Sequence, residues 1–179
     1  HFPTKIISVD SVQLYKGANI GSSKPDQEIL DKIYHGLINT LDPEDDFSVK
    51  DFLNEISHEI FDCKEDLIFV GGTMMYFYSL FNGISKLPKK NIKLREKLEE
   101  DARNKGWKLM HERLEAIDPE AAKIIKDTDS QRILRALEVN HLSKISFSKL
   151  KRFKEKSVID DYRKFSFAII PRCKKTFKV

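Results

Sequence analysis

A carboxylate, a hydroxyl and an amide follow directly after a strand-like run near the start of the chain. Residues 5–9 form this mostly apolar run, and Asp10, Ser11 and Gln13 come next. Ligands of parallel α/β sheets bind where the strands end. A carboxylate at that place can accept a hydrogen bond or a proton from an amine that attacks carbon. Asp is also common as the cap of a turn or helix, so Asp10 alone does not specify this chemistry.

A second strand-like run, residues 66–70, ends on Gly71, Gly72 and Thr73. Glycines let the backbone approach an anion closely, and the N-terminus of a following helix offers free N–H groups and a favourable dipole. The threonine hydroxyl adds one more donor. This pattern suits a phosphate, although an isolated Gly-Gly-Thr is more often an ordinary strand-to-helix turn.

Two arginines, Arg132 and Arg135, are three residues apart and therefore neighbours on a helix face, with Gln131 beside them. Guanidinium groups suit phosphates and stacked bases. The alternative is a solvated basic surface.

The elements that must position these residues follow an α/β order. Residues 5–9, 37–41 and 66–70 are predicted strands, and residues 74–81 a helix that ends at Asn82-Gly83. Ser48 and Asp51 predict a capping box. The helix that it opens places five apolar residues on one face: Val49, Phe52, Leu53, Ile56 and Ile60. Strands that alternate with helices favour a parallel sheet.

The pattern changes after Pro88. Helices are predicted to begin at Asn91, Asp118 and Asp129, and no strand pattern occurs between about residues 89 and 142. Residues 164–170 then predict a strand that returns to the sheet. We therefore expect three parts: an α/β core (1–88), a helical insertion (89–142) and a basic segment that returns to the core sheet (143–179).

Charge separates the last part from the rest. Residues 144–179 hold 12 Lys and Arg against 3 Asp and Glu, whereas residues 1–143 hold 20 against 25. A basic segment can attract a phosphate backbone, or it is simply a lysine-rich surface. No stretch has the length and apolar character of a membrane span, and the two cysteines have no metal or redox spacing. We therefore expect a cytoplasmic protein with no membrane contact, and we expect it to be a monomer.

Three motifs together resemble the tRNA dimethylallyltransferase (tRNA isopentenylpyrophosphate transferase) family. They are the run from Asp10 to Pro25, the Gly-Gly-Thr motif at residues 71–73 followed by Tyr76-Phe77, and the run from Gln131 to Val139. The resemblance implies an α/β fold with a P-loop-NTPase-like parallel sheet core and an all-helical insertion. It also implies transfer of a dimethylallyl group from dimethylallyl diphosphate to N6 of an adenosine beside the anticodon of a tRNA.

Residue roles follow from the same resemblance. The implied catalytic residues are Asp10 as general base, Thr73 and Arg95. The implied tRNA contacts are Asp10, Ser11, Val12, Gln13, Gln131, Arg132, Ile133, Leu134 and Arg135. The implied diphosphate site is Gly71, Gly72 and Thr73. Mg²⁺ is expected as cofactor, with its ligands in the family's phosphate-binding loop, and the tRNA anticodon stem-loop and dimethylallyl diphosphate are the expected partners.

The sequence departs from the family at several places. The G-x-x-x-x-G-K-[ST] loop that opens the family is not among these 179 residues, and Lys144-Ile145 stands where the family has Gly-Lys. We expect a fragment or a decaying gene product, truncated at both ends and inactive alone, since losing one preorganised donor already costs about 10²–10³ in rate. Two alternatives stay open: a non-catalytic RNA-binding remnant, and a prenyltransferase that acts on free adenine nucleotides.

Overall fold

Three short parallel strands and eight helices make up the part of the chain that the computed structural model describes, residues 4–61 and 63–169. In chain order the elements are β1 (Thr4–Ser8), α1 (Gln27–Lys32), β2 (His35–Gly36), α2 (Val49–Ile60), β3 (Asp66–Val70), α3 (Met74–Asn82), α4 (Ile92–Lys105), α5 (Trp107–Ile117), α6 (Pro119–Ala122), α7 (Ser130–Ser143) and α8 (Phe147–Arg152).

The sheet has the order β2-β1-β3, and both pairings are parallel. Ile6 is opposite Ile68, so β1 and β3 end at the same edge. The strands predicted over residues 5–9 and 66–70 are confirmed to within one residue. The strand predicted over 37–41 is wrong, because Leu37 and Asn39 have φ of 61° and 54°, which is incompatible with extended backbone.

The capping box predicted at the start of α2 is confirmed. The Asp51 N–H donates to Ser48 Oγ, and the Asp51 carboxylate accepts from the Ser48 N–H. Behind it, Phe52 stacks on Tyr76 of α3 with ring centroids 4.3 Å apart. Helices α2 and α3 thus cover the sheet, and their apolar faces form the first core with Ile7 and Val9.

The structure describes every residue from 89 to 142, and this span contains helices and turns but no strand. Asn91, Asp118 and Asp129 each accept a hydrogen bond from a backbone N–H of the helix that follows. Helices α4 to α7 bury a second core around Leu114, Ile133 and other apolar side chains. The sequence analysis did not predict α5 as a separate helix, although Gly106 ends α4 with a φ of 83°.

The chain returns to the first core through a loop. The Glu155 N–H donates to the Ile84 carbonyl, and Ile159 is buried among the residues of the first core. A Cβ at Gly83 would lie 1.9 Å from the Glu155 carbonyl oxygen, so the returning segment passes directly against this glycine. The strand predicted over residues 164–170 is wrong for residues 164–169, which are irregular and exposed; residue 170 lies outside the described part.

The predicted boundaries of the three parts, 1–88, 89–142 and 143–179, stay a prediction. Within the described residues, no helix is both long and apolar enough to cross a membrane.

Candidate active site

Asp10 lies just beyond the end of β1, in a turn that its own side chain stabilises. Its Oδ1 accepts hydrogen bonds from the N–H groups of Val12 at 2.8 Å and Gln13 at 3.2 Å. Oδ1 of Asp10 therefore caps the turn, which is the alternative role that the sequence left open. The other oxygen, Oδ2, forms no hydrogen bond with any described residue. The turn thus fixes the carboxylate and leaves half of its accepting capacity free.

Side-chain and backbone hydrogen bonds join the ends of β1 and β3. The Ser11 N–H donates to Thr73 Oγ1 at 2.9 Å, and the Thr73 N–H donates to the Val9 carbonyl at 3.2 Å. The Thr73 hydroxyl does not accept a hydrogen bond from the first N–H groups of α3. Asp10 and Thr73 accordingly lie at one edge of the sheet, as parallel strands require.

The two glycines after β3 differ in what surrounds them. A Cβ at Gly71 would lie 2.1 Å from the Val9 carbonyl oxygen, so only glycine lets β1 and β3 end this close together. A Cβ at Gly72 would have no atom within 4 Å. Gly71 therefore has a packing role, while Gly72 leaves open space that a ligand can approach.

A cavity of about 450 Å³ opens at this edge, and we call it the strand-end cavity. Its volume lies in the range of small-molecule sites. It is lined by Asp10, Val12, Gln13, Gly21, Ser22, Ser23, Val70, Gly71 and Gly72. Five of the residues predicted for the site from the sequence thus line one space: Asp10, Val12, Gln13, Gly71 and Gly72.

Gln13 forms hydrogen bonds within the protein, and the tRNA contact implied for it stays a prediction. Its Oε1 accepts from the Ser8 hydroxyl at 2.8 Å, and its Nε2 donates to the carbonyls of Ser22 and Ser23 at 3.0 and 3.1 Å. The amide is thereby occupied on both ends by the protein. Gln13 holds the loop that closes one side of the strand-end cavity.

Arg95 and Arg135 meet a carboxylate that the sequence analysis did not consider. Glu138, on α7, is fully buried. It accepts hydrogen bonds from Arg95 Nε at 3.1 Å and Nη2 at 3.0 Å, from Arg135 Nη1 at 2.6 Å and from the Asn91 N–H at 2.7 Å. Arg135 also donates to the Pro88 carbonyl at 2.7 Å. We call these five residues the Glu138 cluster.

The electrostatics of the Glu138 cluster keep the carboxylate ionised. Burial alone would raise the pKa of Glu138, because a charge is costly away from water. The hydrogen bonds from Arg95, the Asn91 amide and Arg135 outweigh burial and lower the pKa below its ordinary value. The cluster is therefore a compensated ion group that ties α4, α7 and the Pro88 linker together.

The remaining residues of the Gln131 run divide by exposure. Ile133 and Leu134 are 0% and 2% exposed and pack in the second core, and the tRNA contact implied for these two residues stays a prediction. Gln131 and Arg132 are exposed. Arg132 pairs with Asp129 at 2.6 Å, and its side chain is 74% exposed. Neither Arg132 nor Arg135 lines the strand-end cavity.

Two structural residues had weaker signals in the sequence. Glu138 is flanked along α7 by the apolar Leu134, Leu137 and Val139, so a charge on the buried face was the available signal. Lys24 donates to the Tyr15 carbonyl at 2.7 Å and to Asn39 Oδ1 at 2.8 Å, and burial lowers its pKa. Nothing local to Lys24 indicates this long-range contact.

Comparisons with known proteins identify relatives of this chain. A family model described as IPP transferase matches residues 13–176. A tRNA dimethylallyltransferase of Vesicomyosocius okutanii subsp. Calyptogena okutanii (strain HA) is 47% identical over 162 residues, which is 89% of this chain and 53% of that protein. One of Nitrosomonas eutropha (strain DSM 101675 / C91 / Nm57) is 40% identical over 174 residues, 96% of this chain and 55% of that protein. The chain thus spans about half the length of these relatives.

A solved structure shares the fold. It is a eukaryotic dimethylallyltransferase acting on tRNA, with a TM-score of 0.70 and 24% identity. The match covers 85% of this chain and 39% of that chain. The predicted fold class is confirmed by this likeness and by the parallel sheet: the chain is α/β with a P-loop-like core and a set of packed helices.

Proposed function

The chain belongs to the IPP transferase family, and on that premise we propose that it carries the adenosine side of a tRNA dimethylallyltransferase site. In the proposed reaction, N6 of an adenosine beside the anticodon attacks the first carbon of the dimethylallyl group. The bond from that carbon to oxygen breaks, and diphosphate leaves with the electron pair. The N6 proton passes to Asp10. The observation that carries this proposal is the strand-end cavity, where Asp10 lies with a half-free carboxylate.

The geometry of Asp10 suits a base toward an exocyclic amine. Two backbone N–H groups hold Oδ1, so the carboxylate does not need to reorient when the amine arrives. Its second oxygen has no hydrogen-bond partner among the described residues and can accept from N6. A base held in this way supports proton transfer better than one on a mobile side chain.

The diphosphate side of the site rests on fewer contacts. Gly72 leaves space next to the start of α3, and Thr73 places its hydroxyl at the same strand end. Arg95 keeps its proposed catalytic role only through Nη1, because Glu138 engages its other two nitrogens. Among the described residues, no group of three His, Cys, Asp or Glu side chains could hold a metal ion. Mg²⁺ would help the diphosphate to leave, and none of the steps proposed for these residues passes through it.

We propose that RNA binds to exposed polar and basic side chains. Gln131 and Arg132 are exposed on α7, and the basic segment from residue 144 adds positive charge. A base inside an anticodon loop must be flipped out of its stack to reach Asp10. We propose the anticodon stem-loop as the ligand, a monomer as the acting species and the cytoplasm as its place.

Binding of matched RNAs tests the role of Asp10 without requiring turnover. We would measure the affinity for an anticodon stem-loop with adenosine at the target position and for one with purine riboside, which lacks the N6 amine. The native chain should prefer adenosine by about tenfold to a hundredfold, because a hydrogen bond to a charged group is lost with the amine. Asp10→Ala should bind both RNAs equally.

Two results would replace the proposal with one of the alternatives. Equal affinity of the native chain for both RNAs would indicate an RNA-binding remnant without an adenosine site. Efficient competition by AMP at concentrations similar to those of the stem-loop would indicate a site for free adenine nucleotides.

A further inference from the structure

Ser22 is a buried polar residue that lines the strand-end cavity together with Asp10. The residue is 8% exposed, and its Oγ is the one buried side-chain polar atom that has no hydrogen-bond partner among the described residues. A hydroxyl left without a partner away from water costs free energy. Such exceptions are uncommon and are found where a group serves a ligand.

The loop around Ser22 is held in a costly conformation. Gly21 has a φ of 73° and Ser23 a φ of 54°, so left-handed backbone occurs on both sides of Ser22. For a non-glycine residue such as Ser23 this costs on the order of 1–3 kcal/mol and persists only where the surroundings enforce it. Gln13 does so, since its Nε2 donates to the carbonyls of Ser22 and Ser23.

Gln13 is itself fixed by a contact from the end of β1. The Ser8 hydroxyl donates to its Oε1 at 2.8 Å, which determines which end of the amide faces the loop. The sheet therefore fixes Gln13, and Gln13 fixes the backbone of Ser22. This chain of contacts positions a hydroxyl that has no hydrogen-bond partner among the described residues.

We propose that the Ser22 hydroxyl is a substrate-binding group that donates a hydrogen bond to a ring nitrogen of the adenine seated against Asp10. The inference rests on the proposed function for the identity of the ligand. Adenine carries its N6 donor between two acceptors, N1 and N7. With N6 at Asp10, one of these acceptors faces another wall of the cavity. Ser22 Oγ is shielded in the free protein and reaches the ligand by rotation to another staggered rotamer about its Cα–Cβ bond.

Gln13 is a positioning residue in this proposal, because it acts through the loop and not on the ligand. Adenosine recognition would then use one carboxylate and one hydroxyl, from the turn after β1 and the loop after Ile20. A site built to form a hydrogen bond discriminates strongly against a ligand that lacks the matching atom.

The substitution Ser22→Ala tests the proposal through two measurements with opposite expectations. Thermal stability should be unchanged or higher, because removal of an unpartnered hydroxyl loses no hydrogen bond. Affinity for the adenosine stem-loop should fall several-fold to about tenfold, as expected for one lost hydrogen bond. Ser157→Ala is the matched control. Its hydroxyl donates to the Leu80 carbonyl and accepts from the Ile159 N–H, so the control should lower Tm by about 2–4 °C and leave RNA affinity unchanged.

Two modified stem-loops identify the acceptor atom. With 1-deazaadenosine or 7-deazaadenosine at the target position, the native chain should lose affinity for one of the two RNAs. Ser22→Ala should bind that RNA as well as it binds unmodified RNA.

The failure of this inference is distinguishable from the failure of the proposed function. A native chain that prefers adenosine over purine riboside, together with Ser22→Ala of native affinity, would overturn the inference alone. A loss of Tm in Ser22→Ala similar to that of Ser157→Ala would show that the hydroxyl has a structural partner, and would also overturn it. A native chain without any preference for adenosine would overturn the proposed function, and this inference with it.

Discussion

The strand-end cavity and the Glu138 cluster place similar side chains in different states. At the cavity, Asp10 has one oxygen occupied by backbone N–H groups and one free of described partners. In the cluster, both oxygens of Glu138 are occupied, by two guanidinium groups and one backbone N–H. One carboxylate faces an open space, and the other is fully buried.

The difference separates binding from support. A polar group beside a cavity that is not fully hydrogen-bonded can bind a ligand. A buried group whose hydrogen bonds are all formed within the protein stabilises the fold instead. Two of the three charged side chains of the Glu138 cluster, Arg135 and Glu138, belong to the run from Gln131 to Val139 that carries the family resemblance, whereas Arg95 lies outside the three motifs. Their hydrogen bonds are nevertheless formed mainly with other groups of the protein.

The largest expected effect is on the Glu138 cluster. Glu138→Ala should lower the free energy of unfolding by about 3–5 kcal/mol, because it leaves two guanidinium groups without their buried partner. The control is Glu28→Ala, which removes an exposed pair with Lys32 and should cost no more than about 0.5 kcal/mol. Urea unfolding measures both. Similar losses for the two variants would show that the arginines of the cluster recover their interactions in water.

Two adjacent glycines probe the strand-end cavity. Gly71→Ala should cost about 1–3 kcal/mol or more, because its Cβ would overlap the Val9 carbonyl. It should also weaken binding of adenosine RNA by separating the strand ends. Gly72→Ala, with open space around its Cβ, should change stability by no more than about 0.5 kcal/mol. If both variants unfold at the same denaturant concentration, the close approach of β1 and β3 is not present in solution.

The pH dependence of stability should differ between a buried and an exposed carboxylate. The pKa of Glu138 is lowered in the folded chain, so its contribution is fully present above the ordinary glutamate pKa of about 4.3 and is lost as pH falls through the folded value. Glu138→Gln should therefore make the free energy of unfolding less dependent on pH below about 5. The hydrogen bonds from Ser48 lower the pKa of exposed Asp51 in the same direction, but Asp51→Asn should have the smaller effect. Denaturant titrations at pH 3 to 7 provide the measurement, and an unchanged slope in Glu138→Gln would contradict the assignment.

The smallest effect on stability is expected for an exposed arginine. Arg132→Ala removes a surface ion pair with Asp129 and should change the free energy of unfolding by less than about 1 kcal/mol. It should reduce the slope of log affinity for RNA against log salt by up to about 0.7–0.9, the amount for one phosphate contact. Arg135→Ala should instead lower stability by about 1–3 kcal/mol, because it removes charged hydrogen bonds to Glu138 and the Pro88 carbonyl. Identical salt slopes for native chain and Arg132→Ala would argue against RNA contact at this residue.

The sequence predicted an element correctly where side chains close together in the sequence are enough to form it. The capping box at Ser48, the strand before Gly71 and the caps at Asn91, Asp118 and Asp129 follow from side chains within four residues of one another. The predicted strand at 37–41 failed because Lys24, distant in sequence, binds Asn39 and the chain turns there. The strand expected from residue 164 failed over its described residues because strand formation needs a neighbour to pair with, and an alternating pattern does not supply one.

The sequence by itself determined the α/β order, the family and the presence of Asp10, Gly71, Gly72 and Thr73 at strand ends, because periodicity and motifs are local properties. Only the tertiary structure decided which polar groups are free. Gln13 and Arg135 have the residue types of ligand-binding groups, but the fold gives them protein partners. Ser22 has an inconspicuous residue type, and the fold leaves its hydroxyl without a hydrogen-bond partner among the described residues. The physical reason is that hydrogen-bonding capacity is shared between atoms that are distant in sequence, so it is settled only when the chain has brought them together.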